Sequence, residues 1–199
     1  MTHAPLDESR PSATGRAPRR RRLDVDAYYR MAEAGILGRD DRIELIDGEI
    51  IDMAPIGSPH AGSVNNLVRV FAQAVVSDKV ILSVQNPLRL DLHNEPQPDL
   101  MLLRPRDDGY RSAHPAAADV LLLVEVAESS LAYDRGTKLP LYARHGIQEV
   151  WIVDLVGRAI EIHGHPVAGR FTTERRQSAG PLAPTCLPDC PVDVDRLFG

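Results

Sequence analysis

The chain has 199 residues, a formal net charge of −5, 43% hydrophobic and 26% charged residues, the balance of an ordinary globular protein with enough apolar side chains for one moderate core. No run approaches the roughly 18 consecutive apolar residues of a membrane-spanning helix. The first 22 residues lack the apolar segment of a secretory signal, and two cysteines exclude a disulfide scaffold and fit a reducing, cytoplasmic setting.

Charge divides the chain. Residues 1–22 hold six arginines (10, 16, 19, 20, 21 and 22) against Asp7 and Glu8, a net of +4, which leaves the other 177 residues at −9. The segment is rich in Pro, Ser, Ala and Arg with almost nothing to bury, so a disordered basic tail is expected over 1–22 and a single domain over 23–199. An acidic body grips polyphosphate poorly by charge alone. The tail reads either as a nucleic-acid arm or as a plain solvated terminus.

In chain order, Leu23 to Leu37 reads as a short amphipathic helix with a glycine stop at Gly35. Residues 43–53 place two β-rich triplets around Asp47-Gly48, a strong hairpin signal. Ser58 to Ser77 reads as a helix with Val64, Leu67, Val68, Phe71 and Val75 on one stripe. Val80 to Leu92 reads as a strand bent near Asn86-Pro87, and Pro98 to Leu103 as a short strand with proline at its mouth. Residues 104–119 read as loop. Val120 to Val126 is a near-continuous apolar run, the mark of a strand buried on both faces. Asp134 to His145 reads as a helix in which Pro140 sits awkwardly. Val150–Asp154 and Ala159–His163 read as a second hairpin with Trp151 in the core, and the last 35 or so residues are Pro-rich and weakly periodic. The class is α/β, one mixed sheet flanked by helices, with an N-terminal helix and β-hairpin.

One residue breaks this apolar logic. Glu125 lies inside the buried run, where a carboxylate costs several kcal/mol unless it is paired, protonated or bound to a metal. An antiparallel pairing that sets Asp99 opposite Glu125 and Leu103 opposite Leu121 keeps both strands apolar and brings the two carboxylates to one face. Two carboxylates so close repel unless a cation lies between them, and oxygen donors favour Mg²⁺ or Mn²⁺. The alternative is two unrelated residues, with Glu125 in a buried ion pair with Lys138 or Arg135. Lys138 follows Glu125 by thirteen residues; Asp134, Lys138 and Tyr142 share one broad helix face. Such a lysine can hold a metal-bound water for attack, or simply pair with Asp134 at the surface.

These residues carry a resemblance. Pro98-Asp99, then Glu125-Val126-Ala127, then Asp134 to Lys138 resemble the PD-(D/E)XK nuclease superfamily. With residues 42–55, 58–67, 124–154 and the closing VDVDRLF added, roughly residues 23–199 resemble the Uma family of proposed restriction endonucleases. The resemblance implies a Mg²⁺-dependent phosphodiester hydrolase, with Mn²⁺ as a substitute ion. It makes Asp99 and Glu125 the metal carboxylates and Glu44 the N-terminal acidic residue, with the carbonyl of Val126 a further ligand. The lysine expected two residues after Glu125 is replaced by Ala127, and Lys138 matches the family's displaced lysine.

Other residues have two readings each. His60 is a substrate contact or proton relay, or a packed or capping histidine. Gln85 orients a ligand or is structural. Ser130 lines the strand exit as a possible substrate contact, but no G-x-S-x-G elbow makes it a nucleophile. Cys186 and Cys190 have no second pair to complete a zinc site. The expected function is a metal-dependent endonuclease acting on nucleic acid, DNA foremost, as a possible homodimer and with no membrane partner. The alternative is a nuclease-fold module that binds nucleic acid or protein without cutting.

Overall fold

The computed structural model describes residues 20–38, 40–76 and 78–198. Helix α1 (Val25–Glu33) starts at Asp24, whose carboxylate accepts from the Ala27 N–H at 2.7 Å. Strands β1 (Ile43–Ile46) and β2 (Glu49–Asp52) form the hairpin expected from Asp47-Gly48. Both turn residues have positive φ, 50° and 77°, the geometry that favours an Asp-Gly pair. Then come α2 (Ser58–Val76), β3 (Ile81–Val84), β4 (Leu100–Leu103), a 3₁₀ turn at Ala117–Asp119 and β5 (Val120–Ala127). Helix α3 (Leu131–Tyr133) runs through a π-helical turn (Asp134–Lys138) into α4 (Leu139–Arg144). The chain continues through β6 (Glu149–Asp154), β7 (Ala159–Val167), β8 (Arg170–Gln177), the short β9 (Pro181–Leu182) and β10 (Val192–Asp193), and α5 (Val194–Phe198).

Strands β3 to β8 form a six-stranded sheet in sequence order. Every neighbouring pair is antiparallel except β5 and β6. A parallel pair needs a crossover, and α3 with its π turn and α4 supplies it. The expected α/β class, a mixed sheet flanked by helices, is what the structure contains. Strand β5 is central and its apolar run is covered on both faces. One face carries Leu122, Val124 and Val126 against Leu67 and Phe71 of α2, with Trp151 in the same cluster. The other carries Leu123 against Tyr142 of α4 and Ile147.

The β4–β5 register is the expected one over most of its length: Leu100 faces Val124, Met101 faces Leu123, and Leu102 faces Leu122. It slips only at the far end, where an irregularity pairs Leu103 with Val120 rather than Leu121. That end lies away from Asp99, so the slip leaves the carboxylates where the register puts them.

Four local expectations are corrected. The strand expected over Val80 to Leu92 ends at Val84, because Gln85 takes φ 49° and turns the chain out of the sheet. In α2, Val75 leaves the stripe and is exposed, while Ala74 is buried in its place. The helix expected from Asp134 begins at Leu131. Pro140 fits because the π turn closes before it, with the Leu139 N–H reaching back to the Asp134 carbonyl; proline then stands in the first turn of α4, where its missing N–H costs little. Finally, β8 was not visible in the sequence. It is an edge strand with mostly exposed, polar side chains, so no apolar alternation marks it.

His163 on β7 is buried, and its Nε2 lies 3.7 Å from Glu161, beyond hydrogen-bond reach. Burial holds its pKa below the usual imidazole value. The unfolded chain therefore takes up this proton more readily, and folded stability falls as pH drops through about 6.5. Between about pH 7.5 and 5.5, wild type should lose more stability in urea unfolding than His163→Phe. Equal losses would show that the ring is not held neutral.

Candidate active site

The sheet, the β1–β2 hairpin and the crossover helix meet around a polar cleft. It is lined by Glu44, His60, Gln85, Asp99, Glu125, Ser130, Asp134 and Lys138, so all seven residues singled out as site candidates face one space. Glu44 comes from β1, His60 from the first turn of α2, Gln85 from the end of β3 and Glu125 from β5.

Lys138 is the electrostatic centre. It is 1% exposed, and its Nζ donates to Glu44 Oε1 at 2.9 Å and to Glu125 Oε1 at 3.2 Å. This is the buried-ion-pair reading of Glu125, not a surface pair between Lys138 and Asp134. Burial would lower the lysine pKa, but Glu125, Glu44 and Asp134 outweigh it and hold the ammonium well above its usual range. Lys138 is thus a fixed cation with one N–H to spare among the described residues.

Glu125 is pulled the other way. Burial raises its pKa well above normal; Lys138 opposes this, while Asp134, Asp99 and Glu44 add to it. Its Oε1 also accepts from the Tyr142 hydroxyl at 2.5 Å. Tyr142 is buried, and burial followed by the Glu125 and Glu44 charges keeps its phenol protonated. One oxygen of Glu125 thus carries two donors, while no hydrogen bond reaches Oε2 among the described residues.

Asp99 is held differently. The Val126 N–H donates to its Oδ2 at 2.8 Å, Gln85 Nε2 donates to its Oδ1 at 3.2 Å, and His60 Nε2 lies 2.8 Å from Oδ1. Burial would raise this carboxyl, but His60, Val126 and Gln85 outweigh it and hold the pKa below the usual range. Asp134 is buried and accepts from Ser130 Oγ at 2.6 Å; burial leaves its pKa raised.

Glu44 completes the set. Its Oε1 accepts from the Gln97 N–H at 2.7 Å as well as from Lys138, while its Oε2 is buried without a hydrogen-bond partner. Glu44, Glu125 and Asp134 thus share one buried ammonium with Asp99 beside them, an excess of negative charge that suits a divalent cation with hard oxygen ligands. Among the described residues, no three His, Cys, Asp or Glu side chains are grouped to hold an ion by themselves. Cys186 and Cys190 are free thiols with no such group around them.

Residues 25–194 match the Uma2 family, described as "Putative restriction endonuclease". The chain belongs to that family. No curated protein matches it. A solved structure, a "putative nuclease belonging to DUF820 from Anabaena variabilis ATCC 29413", is similar with a TM-score of 0.68 at 13% identity, covering 88% of this chain and 97% of that one. At that identity the likeness shows a shared fold. The Uma2 membership agrees with the motifs, and the nuclease-like fold gives the sheet the architecture that the resemblance implied.

Sequence reasoning placed Tyr142 on the Lys138 face but gave it no part in the site. It gave no role to Gln97, whose side chain also donates to the Ile43 carbonyl at 3.2 Å. Gln97 stands two residues before Asp99, next to the Pro98-Asp99 pair, which was the available signal.

Two substitutions should move stability in opposite directions. Lys138→Met strips the shared cation from Glu44 and Glu125, and removing one partner of a buried pair costs about 3–5 kcal/mol. Glu125→Gln keeps an oxygen for Lys138 and Tyr142 while removing a charge that burial disfavours, so its melting temperature at neutral pH should exceed that of wild type. Thermal melts of the two variants and their double mutant measure the coupling, which should be large and favourable to the double mutant.

Proposed function

We propose that this Uma2-family chain is a divalent-metal-dependent endonuclease that hydrolyses phosphodiester bonds in nucleic acid, DNA foremost. The observation that carries the reading is the pair of Asp99, the residue before β4, and Glu125 on the adjacent β5. Each faces the cleft, where five carboxylates stand against two permanent cations, Lys138 and Arg42.

Asp99 and Glu125 would hold the ion, with Mg²⁺ the first choice and Mn²⁺ its substitute. Mg²⁺ is commonly held by one or two carboxylates, with waters and substrate phosphates completing the shell, which suits a site without a three-residue cage. The Val126 carbonyl oxygen would be a further ligand, from the residue whose N–H holds Asp99. When bound, the ion lowers the pKa of a coordinated water and polarises the phosphoryl oxygen.

The chain's own groups do the rest. Asp99 is kept ionised by three hydrogen-bond partners. Lys138 stays protonated, so it acts as a donor and a charge rather than as a base. Its spare N–H can orient an attacking water or meet a phosphate oxygen. Glu44 holds Lys138 in place. His60 keeps its Nε2 against Asp99 at the cleft wall, and Gln85 donates to the same Asp99 oxygen. Ser130 holds Asp134 through its hydroxyl.

Mn²⁺ at millimolar concentration should raise the melting temperature of wild type and not that of Asp99→Asn or Glu125→Gln. Plasmid cleavage in Mg²⁺ should be lost in both variants. A metal shift that survives in both, or cleavage that persists in a chelator, would overturn the assignment. Metal-independent DNA binding without cleavage would instead support a binding module.

A further inference from the structure

The active-site cleft is acidic, yet its proposed substrate is a polyanion. Five carboxylates line it, those of Glu44, Asp99, Glu125, Glu128 and Asp134, against Lys138 and Arg42, so its net charge repels phosphate. The attraction has to come from elsewhere on the surface.

The described chain begins with Arg20, Arg21 and Arg22, which run along the β1–β2 hairpin. The Arg22 guanidinium donates to the Asp47 carbonyl at 2.7 Å and to its carboxylate at 3.2 Å, and the Leu23 N–H bonds the Gly48 carbonyl at 2.9 Å. Gly48 is needed here, because a Cβ would stand 2.6 Å from that of Arg22. Arg144 of α4 approaches the same Asp47 oxygen at 3.6 Å. Arg20 lies 3.6 Å from Glu49 with its side chain 93% exposed. The stem of Arg144 also packs under Gly169, where an added Cβ would lie 3.2 Å from its Cγ, and the next residue is the exposed Arg170. Three separate parts of the chain therefore bring five arginines to one rim, where Arg20 pairs with Glu49 and Arg22 and Arg144 pair with Asp47.

This rim lies at the tip of the hairpin whose open end, with Arg42, Ile43, Glu44 and Met53, lines the cleft. Asp47 follows Glu44 by three residues on one hairpin, and Tyr133 lies within electrostatic reach of both. Residues 23–199 carry a net −9, so a cationic strip beside the acidic site stands out against its surroundings. Arginine forks suit phosphate oxygens, and their exposure leaves donors free.

Resting on the nuclease reading, we propose that Arg20, Arg21, Arg22, Arg144 and Arg170 form a phosphate-backbone grip at the hairpin tip that holds nucleic acid extending from the cleft. The grip reads no sequence, because contacts to phosphate position a duplex without specifying bases. Its signature is salt dependence, since each neutralised phosphate contributes about 0.9 to the slope of log K against log salt.

The test uses the full chain, a fluorescent DNA duplex and a metal chelator, with anisotropy titrations between about 50 and 200 mM salt. The triple variant Arg20→Gln, Arg21→Gln and Arg170→Gln should bind more weakly and lose about 2–3 from the slope. A charge-matched control, Arg69→Gln, Lys79→Gln and Arg196→Gln, changes residues beside α2 and the C-terminal segment and should keep the wild-type slope. Equal slopes in the two triple variants overturn the grip, as does an absence of wild-type binding at the lowest salt. Cleavage with equal slopes would sink the grip and leave the hydrolase reading standing. A reduced slope without cleavage in Mg²⁺ would support the grip and sink hydrolysis.

Discussion

A single ammonium, that of Lys138, sits where three elements of the structure converge. It reaches Glu44 on the hairpin and Glu125 on the central strand from the helix that crosses between two parallel strands. Remove the cation and two carboxylates are left buried without compensation. Remove either carboxylate and the hairpin or the strand loses its polar tie to the helix. The hairpin forms a separate two-stranded sheet, tied to the rest by the Leu45–Glu95 bridge, the Gln97 contacts, the Asp47–Asn94 and Gly48–His93 hydrogen bonds and this buried pair. The same charges that hold the cleft together also prepare it, because Glu125 and Asp134 are raised by burial while Asp99 is kept ionised.

Much of this was legible in the sequence because the main cues were local or thermodynamically costly. Asp47-Gly48 announces a hairpin turn. An apolar run with one carboxylate announces both a central strand and a buried charge that needs a partner. The register of β4 on β5 followed from asking both strands to stay apolar, and only its far end slipped. All seven site candidates reached one cleft.

The rest was hidden for physical reasons. Strand β8 is held by backbone pairing at a sheet edge, and edge pairing leaves no apolar pattern to read. Gln85 turns the chain with a positive φ that a glutamine does not advertise. Tyr142 looks like a core aromatic, and its polar role depends on which oxygen of Glu125 it meets. Residues 1–19 of the expected basic tail lie outside the described residues, and Arg20 to Arg22 at its end lie against the hairpin.

The π turn at Asp134–Lys138 bears on how this site could have arisen. A π turn is an α-helix that has accepted one extra residue, and such turns gather at functional sites. With the lysine position after Glu125 filled by Ala127, the cation comes from a helix whose local winding is looser than the rest. An α-helix advances about 100° per residue, so deleting that one residue would swing Lys138 toward the flank and point a different side chain at Glu44 and Glu125. The ammonium's position is thus a matter of helical phase as well as of residue identity. Aligning this stretch to relatives by residue type alone would misplace the cation wherever the extra residue is absent.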